Sequence, residues 1–210
     1  MPIPHALSGR PPKVLRTVRV FARAKLPSRH GDFEIVSFID EAGRTLDDVA
    51  IVRGELIGAD DVPTRVHSEC LTGDVFGSFR CDCRDQLELA LERFSVLERG
   101  IILYLRQEGR GIGIAQKVRA YELQQNGLDT VEANLHMGYD DDLRDYSVAA
   151  AMLHALGVAS IELHTNNTRK IDGLRTGGVE VHNRAAIIAP AREQNRGYLA
   201  TKRDKSGHLL

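Results

Sequence analysis

A mixed α/β fold in one compact unit is predicted by three observations. Short segments rich in Val, Ile and Phe, separated by Gly, Asp and Pro, dominate the first third of the chain. An apolar face at helical spacing begins near Gln86, where Leu87, Ala90, Leu91 and Phe94 fall at i, i+3, i+4 and i+7. Beyond it strands and helices alternate, the pattern of a partly parallel sheet covered by helices. The expected architecture is an N-terminal, mostly antiparallel β-sheet packed with a C-terminal α/β layer.

Residues 1–17 are rich in Pro and Gly, lack periodicity and read as a flexible tail. Strands are predicted around Asp32 to Phe38, Val49 to Leu56 and Val62 to His67. The helix from Gln86 should end near Gly100, followed by a buried strand from Ile101 to Leu105. Two further helices are expected, Ile114 to Gln125 stopping at Asn126-Gly127 and Tyr146 to Leu156 stopping at Gly157, because Gly readily takes the left-handed turn that ends a helix. Ile161 to His164 supplies another strand. The folded domain is expected over residues 18–190, and the polar stretch 191–210, with Arg192, Arg196, Lys202, Arg203 and Lys205, reads as a second, solvated tail.

With 42% hydrophobic and 27% charged residues the composition is that of a globular protein. Its 28 basic and 29 acidic residues leave a net charge of -1, so no global field draws a nucleic acid or an anionic membrane. An anionic ligand must then be held by local positive charge. Pro and Arg interrupt the first twenty residues, and no apolar run could span a bilayer, so a cytoplasmic protein without membrane contact is expected. At 210 residues the chain is long enough for one sizeable domain and too short for a typical two-enzyme fusion.

Cys70, Cys81 and Cys83 are the three cysteines, and an odd set so closely spaced suits metal ligation better than a disulfide framework. Three thiolates leave a tetrahedral zinc its fourth position for water, the arrangement of catalytic rather than structural zinc. They also over-neutralise the ion, so a neighbouring base or cation must help, and His67 and Glu69 are close in sequence. The competing readings are three small buried apolar residues, or a closed structural site with His67 as fourth ligand.

Three segments are suited to anions. RQEGRGIG, residues 106–113, links a strand to a helix and exposes backbone N–H groups at the helix start, although its spacing matches neither a Walker A loop nor the dinucleotide fingerprint. Arg106 and Arg110 there suit a polyphosphate, and Glu108 suits Mg²⁺ or a guanine edge. TNNTRK, residues 165–170, also sits between strand and helix; Thr165 or Asn167 serves there as a ligand group or as a helix cap, and Lys170 is the stronger functional candidate. In DDDLRDY, residues 140–146, capping accounts for Asp145 and partly for Asp142, but not for Arg144, whose charge opposes the helix dipole.

RVHSECLTGD, SFRCDC, RQEGRGIG, the stretch from RAYELQ to DTVEAN, DDLRDY and TNNTRK follow the order and spacing of the GTP cyclohydrolase II family, which the chain resembles from Val18 to Leu210. The resemblance implies that Cys70, Cys81 and Cys83 bind zinc and that GTP, accompanied by Mg²⁺, is the substrate. It places GTP on Arg65, Val66, His67, Ser68, Glu69, Gln86, Glu108, Gly109, Arg110, Thr130, Thr165 and Lys170. Asp142 matches the family's proton acceptor, Arg144 its nucleophile, and Tyr121 a residue that completes the ring hydrolysis. A guanidinium is a poor nucleophile, however, and stabilising a transferring phosphoryl group is an equal role for Arg144. Formate, pyrophosphate and a diaminopyrimidinone phosphate are the implied products, at the start of riboflavin synthesis, from a homodimer. The alternatives are a paralogue arrested at the formamidopyrimidine or serving another pathway, and a GTP-sensing zinc module without catalysis. His30, Leu105 and Leu135 depart from the family's common choices, outside the matched catalytic positions.

Overall fold

The computed structural model describes residues 17–209, so all but the last residue of the predicted N-terminal tail lies outside the described residues. One seven-stranded sheet organises the chain: β1 (Val18–Ser28), β2 (Gly31–Asp40), β3 (Thr45–Arg53), β4 (Val62–Ser68), β5 (Gly100–Leu105), β6 (Ile161–His164) and β7 (Val181–Ala185). Their order across the sheet is β1-β2-β3-β5-β4-β6-β7. Neighbours from β1 to β5 run antiparallel, and those from β5 through β4 and β6 to β7 run parallel. The mixed fold is as predicted, with the antiparallel and parallel parts continuous in one sheet. β4 belongs to the parallel part: it pairs with β5 and β6 rather than with β3.

β5 occupies the centre because Ile101, Ile102, Leu103 and Leu105 are all buried, satisfying both faces of the sheet at once. β1 is the opposite case. It is a largely exposed edge strand carrying Arg19, Arg23 and Lys25, charges that discourage pairing with another chain.

The helices are α1 (Leu71–Asp74), α2 (Cys83–Ser95), α3 (Ile114–Gln125), α4 (Thr130–His136), α5 (Ser147–Leu156), α6 (Thr168–Thr176) and α7 (Arg196–Ser206). α5, apolar along most of its length, packs with Leu174 of α6 and the sheet residues Val36, Phe38, Val66 and Leu163 into the larger core. Ala90 and Phe94 of α2 join Phe33, Ile102 and Ile187 in a second cluster. α7 overturns the reading of 191–210 as a solvated tail. Asn195 and Lys202 are buried, Arg192 pairs with Asp85, and the Leu209 amide donates to the Asn166 carbonyl at 2.8 Å. Among the described residues no helix is long and apolar enough to cross a membrane.

Candidate active site

The loops that leave the carboxyl ends of β4 and β5 face one another, which is where parallel strands place ligands. They enclose a cavity of about 680 Å³, with walls from Ser68–Cys70, Gln107–Arg110, α3, Thr130 of α4, Arg144 and α7. A volume of that order suits a small-molecule ligand.

At one side the three cysteine sulfurs lie within 4.8 Å of one another. Cys70 Sγ and Cys81 Sγ are 3.6 Å apart, and tetrahedral zinc with sulfur ligands requires about 3.8 Å. The residues present therefore fit a zinc ion. Gly73 forms the floor, since a Cβ there would meet Cys81 Sγ at 2.9 Å and Cys70 Sγ at 3.1 Å. The thiols share protons unequally: hydrogen bonds from Cys81 and Cys83, with the Lys117 ammonium, hold Cys70 far below the ordinary thiol range, while its hydrogen bond with Cys70 leaves Cys81 pushed up to about 11. Among the described residues His67 lies outside this cluster of ligand atoms. Its Nε2 lies 3.0 Å from Asp74 Oδ2, and burial keeps its pKa low. Asp74 also accepts from the Cys70 amide and the Tyr104 hydroxyl, so it fixes the entry to the cluster.

The glycine-rich segment folds as a tight turn in which Gly109 and Arg110 take positive φ. At Gly111, φ is +94° and a Cβ would lie 3.1 Å from the Leu143 backbone. This close approach joins the turn to the DDDLRDY segment, where the Leu143 amide donates to the Arg110 carbonyl at 3.0 Å. Glu108 is engaged within the protein, accepting from the Leu71 amide at 2.6 Å, the Gly109 amide at 2.7 Å and Lys117 Nζ at 2.7 Å. Glu69 pairs with Arg106.

Arg144 donates through Nε and Nη2 to the two oxygens of Asp142, at 2.8 and 2.6 Å. Burial raises the Asp142 pKa, but the guanidinium more than offsets it and holds the carboxylate below its usual range. Burial weakens the charged form of Arg144, yet Tyr146 and Asp142 leave its pKa raised. Asp145 caps the start of α5, accepting from the Ser147 amide and hydroxyl.

A narrow annexe adjoins the cavity, sharing Ser68, Cys83, Arg144 and Tyr198 with it. Its wall holds Arg65, His67, Gln86, Thr165, Lys170 and Lys202. Arg65 donates to the His164 carbonyl at 2.9 Å and to Gln86 Oε1 at 2.5 Å. Gln86 and Lys202 both donate to Asp82. Lys170 donates to the Val66 carbonyl at 2.6 Å, and burial drives its pKa well down. Among the described residues Arg65 Nε, His67 Nδ1 and Ser68 Oγ are buried without a partner.

Of the residues singled out from sequence, Ser68, Glu69, the three cysteines, Glu108, Gly109, Arg110, Tyr121, Thr130 and Arg144 line the main cavity, and Arg65, His67, Gln86, Thr165 and Lys170 the annexe. The Val66 side chain is in the core, and Asp142 stands behind Arg144. Asn167 is the N-cap of α6, while Thr165 Oγ1 accepts from the Asn167 amide. Lys117, Arg80, Tyr198 and Lys202 were not foreseen. Lys117 precedes Tyr121 by one helical turn, a spacing that would have found it, and Arg80 stacks over the Tyr121 ring 4.6 Å from its centroid.

The fold and site define an α/β protein whose ligand cavity joins a metal-competent thiol triad to a bank of buried cations. The chain belongs to the GTP cyclohydrolase II family, a family of hydrolases, whose profile matches residues 18–186. A GTP cyclohydrolase-2 of Picrophilus torridus is 47% identical over 92% of this chain and 100% of its own length. The riboflavin biosynthesis protein RibBA of Endomicrobium trichonymphae is 49% identical over 88% of this chain and 46% of its own; that of Salinispora tropica is 49% identical over 93% and 49%. The chain thus spans about half the length of these RibBA relatives. Among solved structures, RibBX, a two-domain 3,4-dihydroxy-2-butanone 4-phosphate synthase from A. baumannii, aligns with a TM-score of 0.43 and 17% identity over 83% of this chain and 41% of that one, too weak a likeness to carry an argument.

Proposed function

We propose that the chain is a zinc-dependent GTP cyclohydrolase II that opens the imidazole ring of GTP and releases formate and pyrophosphate. The remaining product is 2,5-diamino-6-ribosylamino-4(3H)-pyrimidinone 5′-phosphate, and the reaction begins riboflavin biosynthesis. The observation that carries this reading is a cavity, in a member of that family, that holds three converging thiols and adjoins an annexe walled by the buried Arg65, Lys170 and Lys202.

Cys70, Cys81 and Cys83 would hold the zinc, which when bound supplies a Lewis acid for hydrolysis of the purine ring. Cys83 and Arg144 both line the two chambers, and in this reading the base lies at the thiols with the phosphates toward Arg144, Arg65 and Lys170. The unpartnered polar atoms of Arg65, His67 and Ser68 call for a polar ligand there, because buried donors and acceptors normally find partners. Gln86 and Thr165 flank the same chamber, and Glu69, Gly109, Arg110 and Thr130 line the wider one around the nucleoside. Mg²⁺ arrives with the triphosphate: among the described residues the cysteine triad alone groups metal-ligand atoms, and Glu69 and Glu108 are engaged by Arg106 and Lys117.

Arg144 acts in this scheme as a fixed positive charge that stabilises the transferring phosphoryl group. A nucleophilic role would require it to lose a proton, which the bidentate Asp142 carboxylate opposes. Tyr121 lines the cavity, its hydroxyl 3.1 Å from Thr72 Oγ1, and in this reading it assists the second hydrolysis. We extend the proposal, on the family resemblance, to a homodimer in the cytoplasm.

The test is to incubate zinc-loaded protein with GTP and Mg²⁺ and quantify formate, pyrophosphate and the pyrimidine together. Equal release of formate and pyrophosphate is expected. Pyrophosphate without formate would replace this reading with an arrested paralogue, and GTP recovered intact would replace it with a sensing module.

A further inference from the structure

Three thiolates carry one negative charge more than a divalent cation neutralises, and a metal held by them alone is a weak Lewis acid. We propose that Lys117 is a positioning residue that offsets this charge, its ammonium drawing electron density from the Cys70 sulfur so that the bound metal stays electrophilic. The inference rests on the metal reading above.

Lys117 Nζ lies 3.1 Å from Cys70 Sγ. Among the described residues it is the one side-chain cation hydrogen-bonded to a sulfur of the triad. Glu108 anchors it from the other side, and the two further backbone hydrogen bonds to that carboxylate keep the anchor from following solvent. The Lys117 side chain is only 12% exposed, so the charge acts with little screening by water. α3 carries Lys117 and Tyr121 on adjacent turns, with the ammonium 5.8 Å from the Tyr121 ring centroid. The cation thus stands between the metal ligand and a residue facing the substrate cavity. Partners that donate to metal ligands in this way typically change metal affinity or activity by roughly 10- to 100-fold.

The test substitutes cobalt(II) for zinc, because the energy of the thiolate-to-cobalt absorption band reports how tightly the sulfur holds its electrons. Lys117→Met should bind one cobalt per chain, shift that band to longer wavelength and lower GTP turnover by roughly 10- to 100-fold. Lys117→Arg, which retains the cation, should restore the band position and most of the turnover. An unmoved band in Lys117→Met overturns the inference whatever the activity, since the lysine would then merely hold Glu108. If Lys117→Met takes up no cobalt, Lys117→Gln makes the same comparison: a smaller shift supports the inference and none overturns it. A wild-type protein that binds neither metal removes the metal reading itself, which separates that failure from this one.

Discussion

Gly73 lies directly beneath Cys81: a Cβ on it would stand 2.9 Å from the Cys81 sulfur, closer than real Cβ contacts come. The Cys70 sulfur and Cys83 Cβ crowd the same point at 3.1 and 3.2 Å. Gly73→Ala is therefore expected to spread the triad and reduce zinc below one equivalent per chain while the sheet survives. Elemental analysis alongside far-ultraviolet circular dichroism checks both halves. Full zinc occupancy in the folded variant would show that the cluster is free to move.

Arg144 meets Asp142 with two parallel hydrogen bonds, a geometry a lysine ammonium cannot reproduce. Arg144→Lys keeps the charge but loses the planar fork. Pyrophosphate release should fall by about 10²-fold or more, the usual cost of removing one donor from a developing charge. Single-turnover kinetics with separate formate detection measure it, and undiminished pyrophosphate release would exclude a specific guanidinium role.

Elements with strong apolar periodicity were legible in the sequence. β5 and α5 are buried on nearly every side and lie within a residue of their predicted bounds. β1 escaped because an edge strand with mostly exposed residues has little apolar alternation to read. α7 escaped for a related reason: its cohesion comes from charges such as Lys202, whose partner Asp82 lies 120 residues earlier, and a basic run looks solvated until that partner is known. In the site, the thiols and Arg144 stood out by residue type and spacing. Lys117 did not, because its one-turn spacing from Tyr121 marks only a shared helix face, and its contact with Cys70 comes from the fold bringing α3 against that residue.

The Lys202–Asp82 pair joins α7 to the residue between two triad cysteines, with side chains 9% and 2% exposed. Lys202→Met leaves a buried carboxylate with, among the described residues, only Gln86 as side-chain partner. Removing one member of such a pair costs about 3 kcal/mol, read as a lower urea midpoint at unchanged slope. Adding Asp82→Asn should recover part of the loss by removing the stranded charge. Equal stability of Lys202→Met and wild type would mean that α7 is held by its other contacts.

Lys205 ties α7 to the first turn of α4 through Asp129 and Glu132, which also form that helix's capping box. Burial is the largest single influence on Asp129 and raises its pKa, but Lys205 and the Glu132 and Val131 amides together outweigh it and leave the folded value below the ordinary 3.8. A carboxylate depressed on folding contributes stability that is complete above its unfolded pKa and is lost as pH falls through its folded pKa. Helix docking should accordingly hold from neutrality to about pH 4 and weaken below it. Lys205 is 43% exposed, so solvent screening keeps the contribution of the pair small. The sensitive readout is acid-protease cleavage within residues 191–209, which should accelerate in wild type between pH 4 and pH 3. Lys205→Met lacks the contact at either pH, so it should be cut faster than wild type at pH 4 and gain less on acidification. Parallel acceleration of the two proteins would place the acid-sensitive contact elsewhere on α7.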